Sequence, residues 1–123
     1  MTAADLVGGR TPEELESLLE DAVVLHDGAA VAALVERRGV LVAGPGDPAT
    51  GRAEVARATP RLWARGYAAD PRRVLCGHGL ALVVSERSVT VARRGDDGIW
   101  RYAFAVFPGP GPGVSSRPAA ARP

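Results

Sequence analysis

RRVLCGHGLALVVSERSVTVARRGDDGIWRYAFAVF, residues 72–107, decides the architecture. Apolar side chains in it return at every second position, the period of a half-buried strand, in four runs at 72–76, 80–86, 89–94 and 99–107. Gly77-His78-Gly79 and Asp96-Asp97-Gly98 separate runs with residues that accept a positive φ. Turns that tight join neighbours in space, so the four runs are expected to form an antiparallel meander.

Upstream the period is 3.6. Thr11-Pro12-Glu13-Glu14 supplies a cap, a first-turn proline and a carboxylate three residues after the cap. Leu15, Leu18, Leu19, Ala22, Val23 and His26 then share one face of a helix ending near Leu25. Asp27 is expected to cap a second helix of about three turns, with Val31, Leu34 and Val35 on its inner side and Gly39 at its C-terminus. Val40 to Ala43 reads as a brief strand, stopped by Gly44-Pro45-Gly46-Asp47-Pro48. Gly51-Arg52 opens a third helix carrying Val55, Thr59, Leu62, Trp63 and Tyr67 on one face. Thr59-Pro60 predicts a kink or restart inside it. Helices followed by a run of antiparallel strands give an α+β domain, with three N-terminal helices covering one face of a curved antiparallel sheet.

The length, 123 residues, suits one domain. Residues 1–10 read as a flexible N-terminus and 11–107 as the domain. Residues 108–123 read as a disordered Pro/Gly/Ala-rich tail that holds half of the ten prolines and little to bury. Every basic residue is arginine, and a net charge of +1 gives no basic excess for nucleic acid or an anionic membrane. No apolar run is long enough to span a bilayer, and no signal-peptide pattern opens the chain; the expected location is the cytoplasm. One cysteine, Cys76, and two histidines, His26 and His78, are thin material for a metal, so neither metal nor cofactor is expected.

The order of these pieces resembles the SnoaL-like branch of the nuclear transport factor 2-like (ketosteroid isomerase-like) superfamily. The likeness covers about residues 12–107. It is carried by the first helix ending at His26-Asp27-Gly28, the Gly51-Arg52 helix opening, the Leu80-Ala81-Leu82-Val83-Val84 strand, and Arg93-Arg94-Gly95-Asp96-Asp97-Gly98-Ile99-Trp100-Arg101-Tyr102, similar to the final hairpin of that family. The resemblance implies a cone-shaped α+β fold around an apolar pocket for a small organic molecule, and homodimers formed through the sheet. Fold alone does not set the chemistry, since relatives include isomerases, cyclases, dehydratases and ligand-binding members. The positions where isomerase-type and cyclase-like members carry a carboxylate correspond here to Ala43 or Gly44 and to Ala105. The hollow is therefore expected to be short of acidic groups, and the 80–86 to 89–94 connection is shorter than the family's usual one.

The residues that could line or act in such a pocket are His26, Trp63, Tyr67, Trp100, Tyr102 and Phe104. His26, on the apolar side of the first helix, should point at the core or the pocket rim; a hydrogen-bonded structural role and a general-base role both fit an imidazole there. Trp100, Tyr102 and Phe104 alternate along the last strand and should share a face. Cys76 and His78 would share a strand face but lack companions for a metal, and His78 between glycines reads as a turn residue. Arg57, Arg61 and Arg65, like Glu13, Glu14, Glu16, Glu20 and Asp21, read as solvated faces.

Three functions follow as expectations. The first is a noncatalytic small-molecule-binding module with an apolar pocket. The second is an isomerase, cyclase or dehydratase for a polyketide-like or steroid-like substrate, with His26, Tyr67 or Tyr102 replacing the missing acids. The third is a noncatalytic dimerisation module whose cone is filled by its own side chains.

Overall fold

The computed structural model describes residues 7–63 and 69–108. The expectations for Tyr67, for Arg65, for residues 1–6 and for the tail beyond Pro108 lie outside those residues.

Helix α1 spans Pro12–Val24. Thr11 Oγ1 accepts the Glu14 N–H at 3.0 Å, as the sequence predicts, and Glu14 Oε1 reaches back one residue further than a capping box requires, to the Arg10 N–H at 2.6 Å. The C-terminus closes as a Schellman turn, with His26 N–H donating to Val23 O and Asp27 N–H to Ala22 O. His26 takes the left-handed position at φ 52°, where glycine is the usual occupant. Asp27 caps α2, Gly28–Ala33, by accepting the Ala30 N–H at 3.0 Å. Helix α3 spans Arg52–Ala58 and α4 Pro60–Trp63, so the third helix restarts at Pro60 as its sequence predicts.

The second helix is shorter than expected, and the difference is instructive. It ends at Ala33, and strand β1 runs over Val35–Ala43, absorbing Val35 and Gly39 from the predicted helix. The winning force is tertiary: Leu34 O accepts the Tyr102 N–H at 2.8 Å, and Val35 lies beside Tyr102 in a parallel pairing with the last strand. Gly39 sits inside β1 where a Cβ would collide with Val35 Cγ1 and approach Tyr102 O to 2.9 Å. Its role is close backbone approach, not helix termination.

The other strands are β2 Ala49–Thr50, β3 Pro71–Gly77, β4 Leu80–Ser85, β5 Val89–Arg94 and β6 Trp100–Phe107. They form one curved sheet in the order β2-β1-β6-β5-β4-β3. The β3 to β6 meander is antiparallel as predicted, while β1 joins β6 in parallel and β2 adds a short antiparallel edge. The β3–β4 turn places His78 and Gly79 both at positive φ, 54° and 73°, the backbone of a two-residue type I′ hairpin.

Register fixes the two faces. Val35, Tyr102, Ala92, Ala81 and Cys76 form one inner row, and Leu41, Ala105, Thr90, Val83 and Val74 the next. Onto this face pack Leu15, Leu19, Val23, Val31, Val55 and Leu62 from the helices, making one apolar core. The outer rows are Val40, Phe104, Val91, Leu82, Leu75 and Val42, Val106, Val89, Val84, Arg73. No helix among the described residues is long and apolar enough to cross a membrane. The packing at Gly39 gives a direct test. Gly39→Ala should lower unfolding stability by about 1–3 kcal/mol, measured by urea denaturation, because a backbone carbonyl cannot step aside for the added methyl.

Candidate functional site

The sheet's inner face holds a polar group that the sequence does not advertise. Glu16, on α1, is only 1% exposed. Its Oε2 accepts the Tyr102 hydroxyl at 2.5 Å and the Thr90 hydroxyl at 3.1 Å. Tyr102 is 1% exposed and Thr90 fully buried. The three side chains come from α1, β6 and β5 and meet on the inner rows, among Ala81, Ala92 and Ala105.

This corrects the expectation of an interior short of acidic groups. It also corrects the placing of Glu16 among solvated carboxylates; Glu13, Glu14 and Asp21 are exposed as expected. The missed signal is positional. Pro12, Leu15, Glu16, Leu19, Ala22 and Val23 are the buried residues of α1 and form one continuous stripe, with Glu16 four residues after Pro12 and three before Leu19. A carboxyl inside an apolar stripe costs free energy unless donors meet it, and two hydroxyls do.

The five predicted pocket residues among the described ones, His26, Trp63, Trp100, Tyr102 and Phe104, do not form one cluster. Of these five, Tyr102 joins the Glu16 cluster. Trp100 is largely buried near the start of β6, with the Arg94 guanidinium 5.9 Å from its ring centre and Gly9 paired to its backbone. Phe104 lies on the opposite, outer face and is 42% exposed. The cause is a bulge: Val91 pairs with Phe104 and Ala92 with Tyr102, so Ala103 has no opposite number on β5 and the alternation of β6 flips. His26 does not point into the core. It is exposed, and its ring stacks on Trp63 with centroids 4.8 Å apart and planes 13° from parallel. Helical periodicity fails at His26 because the chain has left the helix one residue earlier.

Cys76 is an exposed free thiol on the edge strand, while His78 belongs to the turn rather than to a shared strand face. Among the described residues no group of His, Cys, Asp and Glu could hold a metal ion. A groove of about 440 Å³ runs outside the sheet between α1, α2 and Val7–Gly8. Leu18, Ala22, Leu25, Ala30 and Leu34 line it, with Asp21 and Asp27 also in its wall, and none of the predicted pocket residues among the described ones takes part.

With this geometry in place, comparison with known proteins is informative at the level of fold. No protein-family model and no curated protein matches the sequence. Solved structures do. A calcium/calmodulin-dependent protein kinase type II association domain from Thiobacillus denitrificans superposes with a TM-score of 0.67 at 16% identity, over 84% of this chain and 98% of that one. A ketosteroid isomerase-like protein from Erwinia carotovora atroseptica gives 0.62 at 21% identity, over 76% and 89%. A nuclear transport factor 2-like protein with a cystatin-like fold, from Novosphingobium aromaticivorans, gives 0.60 at 20% identity, over 80% of each chain. The chain has the α+β fold of the nuclear transport factor 2-like, ketosteroid isomerase-like superfamily. Its particular features within that fold are the inward Glu16 and the hydroxyls of Tyr102 and Thr90 that hold it.

A double-mutant cycle tests whether this cluster acts as a unit. Glu16→Gln and Tyr102→Phe should each destabilise the fold, with a coupling of about 1–3 kcal/mol between them by chemical denaturation. Strict additivity would mean the short contact contributes nothing.

Proposed function

We propose that this chain is a cytoplasmic small-molecule-binding module that works as a homodimer and has no catalysis of its own. The observation that carries the reading is the unequal dressing of the sheet's two faces. Across the outer rows, Val40, Phe104, Val91, Leu82 and Leu75 run side by side with no polar residue between them, and Phe104 and Leu75 remain 42% and 53% exposed. A contiguous apolar patch of this kind marks an interaction surface. A second copy of the same face is the natural partner, because a two-fold axis lets identical rows of valine, leucine and phenylalanine interdigitate. The name of the Thiobacillus denitrificans relative, an association domain, fits a role in assembly.

The inner face supports the ligand half. Ala81, Ala92 and Ala105 give a floor of small side chains, and the Glu16–Tyr102–Thr90 cluster sets a polar anchor beside it. The ligand this suits is a small, mostly apolar organic molecule oriented by the Tyr102 phenol. Ala43, Gly44 and Ala105 offer no acid or base where catalytic relatives would carry one, which favours binding over turnover. The exposed thiol of Cys76 agrees with a reducing compartment.

A second reading is an isomerase or dehydratase, and one contact favours it. A carboxyl and a phenol held at 2.5 Å could serve a developing enolate when the carboxyl carries the proton and donates it to the phenol oxygen, which frees the phenol hydrogen to point at the enolate. The two readings part at turnover: the binding module leaves an added ketone substrate unchanged, whereas the catalytic reading expects wild-type turnover that collapses in a folded Tyr102→Phe protein.

Sedimentation equilibrium at micromolar concentration should give twice the 12.7 kDa chain mass for the wild type. Val91→Arg, in the middle of the outer row, should give a folded monomer. A monomeric wild type refutes the assembly half. Native mass spectrometry of protein from its own host should show a retained organic ligand; its consistent absence would leave the dimerisation module alone standing.

A further inference from the structure

At one end of the outer face the apolar rows give way to charge. Arg101 of β6 stands opposite Arg93 of β5, and Arg93 opposite Leu80 of β4. Beside Arg101 opens a cavity of about 250 Å³, lined by Glu36, Arg37, Arg52, Asp97 and Arg101.

Its side chains are held in place by contacts that come from different parts of the fold. Arg101, whose side chain is 13% exposed, puts Nη2 3.1 Å from Asp97 Oδ2. The Ile99 N–H donates to Asp97 Oδ1 at 2.9 Å, and that bond, followed by the Arg101 contact, holds the Asp97 carboxyl below the usual carboxylate range. Glu36 is met by Arg93 Nε at 3.0 Å, an arginine that is not part of the lining. Each carboxylate of the cavity thus already has its own arginine. Arg52 is different. Its Nε donates to the Val35 carbonyl at 2.9 Å, which fixes the plane of the guanidinium, and among the described residues no carboxylate pairs with it. A half-buried cation, oriented by the backbone and facing a cavity with two further arginines, is left without a carboxylate of its own among the described residues.

The geometry points to a binding site for a compact oxyanion, the carboxylate or phosphate group of a small metabolite, gripped by Arg52 with Arg37 and Arg101 on its flanks. Guanidinium forks match two oxygens of such a group at once, which a spherical halide does not supply. The volume, below the ~300 Å³ lower end of ordinary ligand pockets, suits the anionic group and a few attached atoms. The site is formed by β1, α3, the β5–β6 turn and the start of β6, on the outer side of the sheet, so it stands or falls independently of a ligand on the inner face.

The test is a titration of isotope-labelled wild-type protein with inorganic phosphate and, separately, with acetate, against sodium chloride at constant ionic strength. Saturable amide shifts confined to residues 35–37, 52 and 97–101 are expected, and the tighter of the two anions identifies the source as a phosphate ester or a carboxylate. Arg52→Met should weaken binding by about tenfold or more, whereas Arg57→Met, exposed on the same helix, should leave it unchanged. Shifts in the wild type that never saturate beyond the chloride reference, or that saturate elsewhere, overturn the site. So does an Arg52→Met protein that folds and binds as tightly as the wild type. Should that variant fail to fold, the location of the wild-type shifts decides.

Discussion

Tyr102 is the point at which three parts of the chain are locked together. Its N–H is bonded to the carbonyl of Leu34, its Cα pairs with Val35 on one side and Ala92 on the other, and its hydroxyl reaches Glu16 on the first helix. The backbone contacts end α2 and start β1; the phenol sets the height of α1 above the sheet. Removing the side chain would strand a buried carboxyl with fewer donors, and breaking buried polar networks is among the few single changes that destabilise a domain severely. Ligand reading and catalytic reading alike pass through this residue, because among the described residues it is the predicted pocket residue that reaches the interior cluster.

Much of the fold was legible because local signals and tertiary demands agree. The cap at Thr11, the restart at Pro60 and the two-residue turn at His78-Gly79 are determined by side chains within a few positions, and each appears where the pattern puts it. Two of the failures share a cause: they are places where pairing with another strand decides. Val35 and Gly39 continue a helical pattern but are claimed by β6, more than sixty residues away in sequence. Phe104 keeps strict alternation with Tyr102 in sequence, yet one unpaired residue, Ala103, sends it to the other face. Glu16 was hidden by its chemistry rather than by its position, since a charged residue inside an apolar stripe is read as surface until its donors are known.

The two sides of the sheet face different physical problems. The inner side must satisfy a carboxyl in an apolar interior and does so with hydroxyls from two strands. The outer side leaves leucine, valine and phenylalanine partly in water and ends in a band of arginines and carboxylates. That band bounds the apolar field at one edge. If two such faces pair as proposed, a copy sliding along the strands would bring its greasy rows against these charges, and the band would favour one register of assembly over its neighbours.

Placing the final strand in the middle of the sheet has a consequence for biogenesis. During synthesis the helices, β1 and the β3–β5 hairpins leave the ribosome before the element that joins them, and β1 exposes unpaired backbone along one edge until β6 arrives. Closure by such long-range pairing is slow relative to local helix and hairpin formation. The nascent chain is thus at its most adhesive in the interval before β6 emerges, when a chaperone has most to protect.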